Sequence, residues 1–193
     1  MSPEVTTERR LIRSARGGDQ DAFAELVVMH ADHVFGALRR FGLDASEADE
    51  VAQEVFLRAW RGLARFEERA QFSTWVYRIA FNEAQRRLSR RAPPRVEVDQ
   101  DRDDPVVALP EAAHLGPEAQ ALDHEFQHAL EQALGQLPHE LRAAVVLRDI
   151  EGLSTEEAAQ VVGARQLAFK SRLHRGRMQL RALLEPYLML EEG

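Results

Sequence analysis

With 193 residues, 45% of them hydrophobic, the chain has room for one large or two small compact domains, and its formal net charge is −7. It contains no cysteine, which excludes a disulfide framework, a thiolate metal site and a cysteine nucleophile, and is compatible with a reducing compartment. No apolar run approaches the roughly 18 residues of a membrane span and no apolar segment follows the amino terminus, so neither membrane insertion nor a signal peptide is expected, and the expected location is cytoplasmic.

The pattern reads as helical throughout, with no sustained alternation that would predict strands. Thr7 is placed to cap a first helix reaching about Arg16, where Gly17 and Gly18 break it. Asp19 or Asp21 then begins a second helix, whose apolar stripe of Phe23, Leu26, Val27, Val34, Leu38 and Phe41 runs to a stop at Gly42. Ser46, with Asp49 three residues on, predicts the start of a third helix. Val51, Val55, Phe56, Ala59 and Trp60 supply its buried face, leaving Asp49, Glu50, Gln53, Glu54 and Arg58 outside.

After a loop from about Leu63 to Gln71 comes an unusually aromatic block, Phe72 to Asn82, for which Ser73 or Thr74 is the expected cap. It runs on into Arg86, Arg87, Arg90 and Arg91. Rings that stack on bases and cations that follow phosphates are what a single-stranded nucleic-acid surface needs. Core packing competes for the same rings, so Phe72, Val76 and Ile79 are expected mainly inside. Trp75, Arg78, Asn82, Arg86 and Arg87 remain the better contact candidates.

Residues 93–123 hold two arginines against eight acids and include Pro93, Pro94, Pro105, Pro110 and Pro117. This is the composition of an extended linker, either a solvated tether or a strand lying on a basic surface. Domains are therefore expected at 1–92 and 124–193. The global acidity does not exclude DNA binding, because what a phosphate senses is the field within about 8–10 Å.

That local field is positive near the carboxy terminus. Ser154 and Glu157 form a capping-box pattern, the small residues Ala158, Ala159, Val161 and Val162 make a short helix, and Gly163 ends it. In the next helix Phe169, Leu173, Leu180 and Leu184 recur on a packing face, beside a stripe of Lys170, His174, Arg177 and Arg181. No Asp or Glu occurs from Ala158 to Leu184. Two helices about a glycine turn, the second basic, fit a helix-turn-helix whose second helix enters the major groove. The plainer alternative is a helical hairpin with a solvated arginine face.

The histidine pairs His30 with His33 and His124 with His128 have metal-compatible spacing but no specified third ligand, so no metal or other cofactor is expected. Nothing assembles a nucleophile–base pair or a phosphate-binding loop, so no enzyme activity is expected.

Taken together, Asp49-Glu50-Val51-Ala52-Gln53-Glu54-Val55-Phe56-Leu57-Arg58-Ala59-Trp60, the Phe72 to Asn82 block, Leu137-Pro138, and Lys170-Ser171-Arg172-Leu173-His174-Arg175-Gly176-Arg177 resemble sigma factors of the extracytoplasmic function group. The motifs stand in that family's order from about Asp19 to Leu184. The resemblance implies an all-α protein of two small helical domains, binding bacterial core RNA polymerase and promoter DNA, with an anti-sigma factor as a further candidate partner. It implies that Asp49, Glu50, Gln53, Glu54, Phe56, Arg58 and Trp60 dock on the polymerase clamp helices. By the same resemblance Phe66, Phe72, Ser73, Thr74, Trp75, Arg78, Asn82, Arg86 and Arg87 open and read the minus-ten element. Ser154, Thr155, Arg165, Gln166, Lys170, Ser171, Arg172, His174 and Arg175 would read the minus-thirty-five element. One departure stands out: where relatives have a proline-and-glycine turn followed by Thr-Val, this chain has Arg165-Gln166-Leu167-Ala168-Phe169, which removes a capping hydroxyl and predicts an altered entrance to the recognition helix. A two-domain DNA-binding regulator that is not a polymerase subunit is the competing reading, and the aromatic block argues against it, since a duplex-only binder needs no base-stacking surface.

Overall fold

A computed structural model describes residues 3–66, 71–91 and 123–188. The expected linker falls outside the described residues except for Asp123, which already belongs to a helix. Every regular element among the described residues is helical: α1 (Pro3–Arg16), α2 (Gln20–Arg40), α3 (Ala45–Gly62), α4 (Phe72–Ser89), α5 (Asp123–Gln136), α6 (His139–Val145), α7 (Thr155–Val162) and α8 (Gln166–Leu188). They form two compact units, one built around α1–α4 and the other around α5–α8.

In the first unit α2 is the central helix, packed by α1, α3 and α4. Leu26, Val34, Leu38 and Phe41 are fully enclosed there, as the stripe predicts, and Phe41 meets Phe81 of α4 edge-on at 5.6 Å. Phe23 and Val27 are only half-buried. Asp19 is the N-cap of α2, accepting from the amides of Asp21 and Ala22 at 3.1 Å each and from the Ser14 hydroxyl at 2.6 Å. The Ser14 bond and these amide bonds hold its carboxyl below the usual range.

Three cap expectations are corrected. Thr7 lies inside α1, which begins at Pro3, a residue whose fixed φ and missing N–H suit a first turn. The N-cap of α3 is Asp44 rather than Ser46: its carboxylate accepts from Glu47 N–H at 2.9 Å while Glu47 accepts from Asp44 N–H at 3.3 Å. Glu47 is long enough to reach back to the Asp44 amide, as Asp49 is not for Ser46, and Leu43 just before the cap is buried. For α4 the N-cap is Gln71, without a side-chain hydrogen bond, and Thr74 is buried within the first turn.

The second unit packs α8 on α6 and α5. Phe169, Leu173 and Leu184 are buried, and Leu180 packs with Leu184 against Ala129 and Ala133 of α5. The α5–α6 corner is held by Arg142, whose guanidinium donates to the carbonyls of Gly135 at 2.5 Å and Leu137 at 3.1 Å, satisfying the end of α5. Helix α6 runs into a π-helical turn, Val146–Ile150, that carries Val146 and Leu147 into the core. Gly176 is buried where α8 crosses α6: a Cβ there would lie 2.8 Å from a Val145 methyl and 2.9 Å from the Leu141 carbonyl oxygen.

Burial, and after it the Arg142 charge, holds His139 below its ordinary value, with Glu140 acting the other way. The folded state therefore releases this proton at a lower pH than the unfolded chain, whose ordinary value is about 6.5. Its contribution is complete above that pH and is lost as pH falls below it. The thermal midpoint of the second unit should drop as pH falls below about 6.5, and His139→Asn should flatten that drop; equal slopes in both proteins would contradict it.

Candidate nucleic-acid and polymerase interface

The outer face of α3 carries the acids. Asp49, Glu50 and Gln53 are exposed, with Gln53 donating to Asp49 at 3.1 Å, and Glu54 pairs with Arg58 at 2.8 Å one turn on. Arg58 also reaches Glu83 of α4 at 3.1 Å. Phe56, read as part of the buried stripe and by resemblance as a docking residue, is buried and supports this face from beneath. Trp60 is half-buried, its ring 5.0 Å from that of Phe23. A residue that the sequence reading passed over fills the middle: Leu57 is 50% exposed, one turn from Gln53 and Glu54. Its signal is an apolar side chain placed one residue off the buried stripe.

On α4 the rings gather rather than splay. Phe66, Phe72 and Trp75 lie 5.0–5.8 Å apart by ring centroid, and His30 stacks on Phe72 at 5.2 Å while its Nε2 sits 2.8 Å from Glu8. Phe66 and Phe72 are buried, and Trp75, half-buried, rests against the backbone of Gly62. Trp75 is thus the rim of an aromatic cluster and not a free platform. Val76 is enclosed as expected, whereas Ile79 and Ser73 are half-buried.

The basic end of α4 divides by helical phase. Arg87 donates to Glu50 at 2.5 Å and Glu47 at 3.3 Å, and Arg91 pairs with Glu47 and, at 3.4 Å, with Asp44. The hydrogen bonds to Glu50 and then Glu47 hold the Arg87 proton more firmly than usual. Arg87 thus ties α4 to the start of α3. Arg86 pairs with Glu83 of its own helix at 2.8 Å and still lines an open groove with Asn82, Gln85, Ser89 and Arg90. Arg78 and Asn82 are exposed.

In the second unit the capping box forms as read: Glu157 N–H donates to the Ser154 hydroxyl at 3.2 Å and Ser154 N–H to the Glu157 carboxylate at 2.9 Å. Helix α7 ends at Gly163, whose φ of +67° needs glycine, and the Ala164 amide closes the turn on the Ala159 carbonyl at 3.0 Å. The first turn of α8 closes on backbone, Phe169 N–H to the Arg165 carbonyl at 2.9 Å, without the hydroxyl that Ala168 lacks. Arg165, Gln166 and Lys170 are exposed, and Thr155, Ser171, Arg172, His174 and Arg175 are half-buried. Arg172 pairs with Glu140 at 3.3 Å. Arg177 is bound in a two-pronged pair to Asp149, at 2.9 and 2.5 Å, so it pins α8 to the π turn instead of joining the outward stripe.

Among the described residues no three histidine, aspartate or glutamate side chains converge as a metal site, and no helix is long and apolar enough to cross a membrane.

Residues 26–93 match the family described as Sigma-70 region 2, and residues 127–180 match Sigma-70, region 4. The chain is 36% identical over 186 residues to the RNA polymerase sigma-H factor of Pseudomonas aeruginosa, covering 94% of this chain and 95% of that protein. It is 32% identical over 190 residues to the ECF RNA polymerase sigma-E factor of Escherichia coli, covering 96% and 98%. Among solved structures it is similar to CnrH in complex with the cytosolic domain of CnrY, with a TM-score of 0.68, 30% identity, and 93% and 98% of the two chains covered.

Proposed function

Because this chain belongs to the sigma-70 family as a sigma factor of the extracytoplasmic function group, and so directs promoter recognition and transcription initiation by bacterial RNA polymerase, we propose how its residues divide that work. Residues 1–92 bind core polymerase and the minus-ten element, 93–123 link, and 124–193 read the minus-thirty-five element. The protein acts in the cytoplasm and performs no chemistry itself; polymerase does.

The α3 face docks on polymerase through Asp49, Glu50, Gln53 and Glu54 around Leu57, with Arg58 and Trp60 at its border and Phe56 beneath. An apolar centre ringed by charge is the arrangement that binds a basic partner both tightly and selectively. On α4 the opened strand is held by the exposed Arg78 and Asn82, with Arg86 on phosphate and Ser73 near the entrance. Trp75 stacks a base only at its open edge, while Phe66, Phe72, Thr74 and Arg87 shape the surface. In the second unit Arg165, Gln166, Lys170, Ser171 and His174 face duplex, and Ser154, Thr155, Arg172 and Arg175 lie beside them. The single observation that carries this reading is the outward face of α8, basic, free of acids and set by a glycine turn behind a capped α7. The CnrH structure holds the cytosolic domain of CnrY, and the anti-sigma factor that the family resemblance implies is the partner of that kind proposed for this chain.

Strand opening provides the test. Arg78→Ala with Asn82→Ala should leave thermal unfolding and core binding unchanged but reduce permanganate-detected melting of a promoter at least about tenfold, given about 1–3 kcal/mol per base contact. Normal melting would remove both residues from the strand-holding surface. Trp75→Ala is the poorer probe, because it also empties part of the Phe66–Phe72 cluster.

A further inference from the structure

We propose that Leu167 reads a base, seating its side chain against the 5-methyl group of a thymine in the upstream promoter duplex. The inference rests on the assignment of the second unit to that element and adds a specificity-determining contact to it. Leu167 is 62% exposed, although it lies two residues from Phe169, which is wholly buried. Helical phase explains the contrast: Phe169, Leu173 and Gly176 share the face packed on the core, and Leu167, Lys170, His174 and Met178 share the opposite one. Leu167 stands in the first turn of α8, where side chains of a recognition helix point into the major groove.

Its surroundings select the partner. The exposed neighbours Arg165, Gln166 and Lys170 are basic or amide-bearing, and no acid lies between Ala158 and Leu184. An apolar protein surface would find cations around this leucine, whereas a polyanion finds complementary charge. Within a duplex groove the base edges offer hydrogen-bond donors and acceptors, and thymine alone adds a methyl group. Arg165 and Lys170 can hold phosphate on either side while Gln166 meets a base edge, leaving the branched Leu167 side chain to cover the methyl.

The experiment reconstitutes holoenzyme from core polymerase and the full chain, selects duplexes from a library randomised over the upstream element, and replaces each thymine of the selected duplex in turn by deoxyuridine, which lacks only that methyl. At one position the replacement should weaken wild-type binding about fourfold, the worth of burying one methyl group. Holoenzyme carrying Leu167→Ala should bind the thymine duplex about as weakly as wild type binds the deoxyuridine duplex, and should be indifferent to the methyl. Loss at no position, or the same loss with both proteins, would overturn the proposal. If selection yields no upstream preference while the holoenzyme still transcribes, the assignment of the second unit to upstream duplex falls, and the contact falls with it.

Discussion

Replacing Gly176 by valine will unfold the α5–α8 unit at temperatures where the α1–α4 unit remains folded. Alanine in a helix interior ordinarily gains up to about 1 kcal/mol over glycine, yet here even its Cβ would lie 2.9 Å from a backbone carbonyl oxygen of Leu141 and 2.8 Å from Val145. The side chain of Val145 can shift a little, but the α6 backbone cannot retreat without opening the core formed by Leu141, Val145 and Leu173. Overpacking of this kind costs about 1–3 kcal/mol for alanine and more for valine, whose added branches meet the same wall. Hydrogen exchange should show protection lost in α5–α8 and retained in α1–α4, together with loss of upstream promoter selectivity. A Gly176→Val protein with wild-type protection throughout would show that the two helices do not cross this closely.

Reversing charge on α3 should have the largest effect on function. In Asp49→Arg with Glu54→Arg, two exposed or half-exposed acids become cations on the face proposed to meet a basic surface of polymerase, and like-charge contacts across an interface cost several kcal/mol. Core affinity should fall at least about 100-fold. The fold should be nearly untouched, because the losses are the Gln53–Asp49 hydrogen bond and the Glu54–Arg58 pair, each a surface interaction worth about 0.5 kcal/mol. Glu50 and Glu47 are poor choices for this experiment since they anchor Arg87 and Arg91, and their removal would disturb α4 as well. Unchanged core affinity in the double variant would move the docking surface off α3.

What could be read in advance depended on the range of the interactions involved. The Asp19 cap, the Ser154–Glu157 box and the Gly163 turn are settled within a few residues of chain, and each was legible. The start of α3 was misplaced at Ser46, although only Asp44 has a glutamate, Glu47, three residues on and long enough to reach back to the cap amide, as the structure shows. The roles of Arg87 and Arg177 were hidden because their partners lie 37 and 28 residues away in sequence. Both cations looked available for phosphate until the packing of α4 on α3, and of α8 beside the π turn, brought acids to them. Gly176 was invisible for the same reason: a mid-helix glycine declares its purpose only when the crossing helix is in place. Trp75 was legible as a ring near a nucleic-acid surface, but its half-burial follows from Phe66 and Gly62, which no periodicity connects to it.

The most direct test of the whole account is run-off transcription with purified core polymerase on a fragmented genome of the source bacterium, with and without this protein. A promoter-directing subunit should produce discrete new start sites that share an upstream and a minus-ten element, absent with core alone and lost with Asp49→Arg/Glu54→Arg. A folded protein that binds duplex DNA yet yields no transcript above core polymerase alone would contradict it, and would mark the chain as a duplex-binding regulator instead.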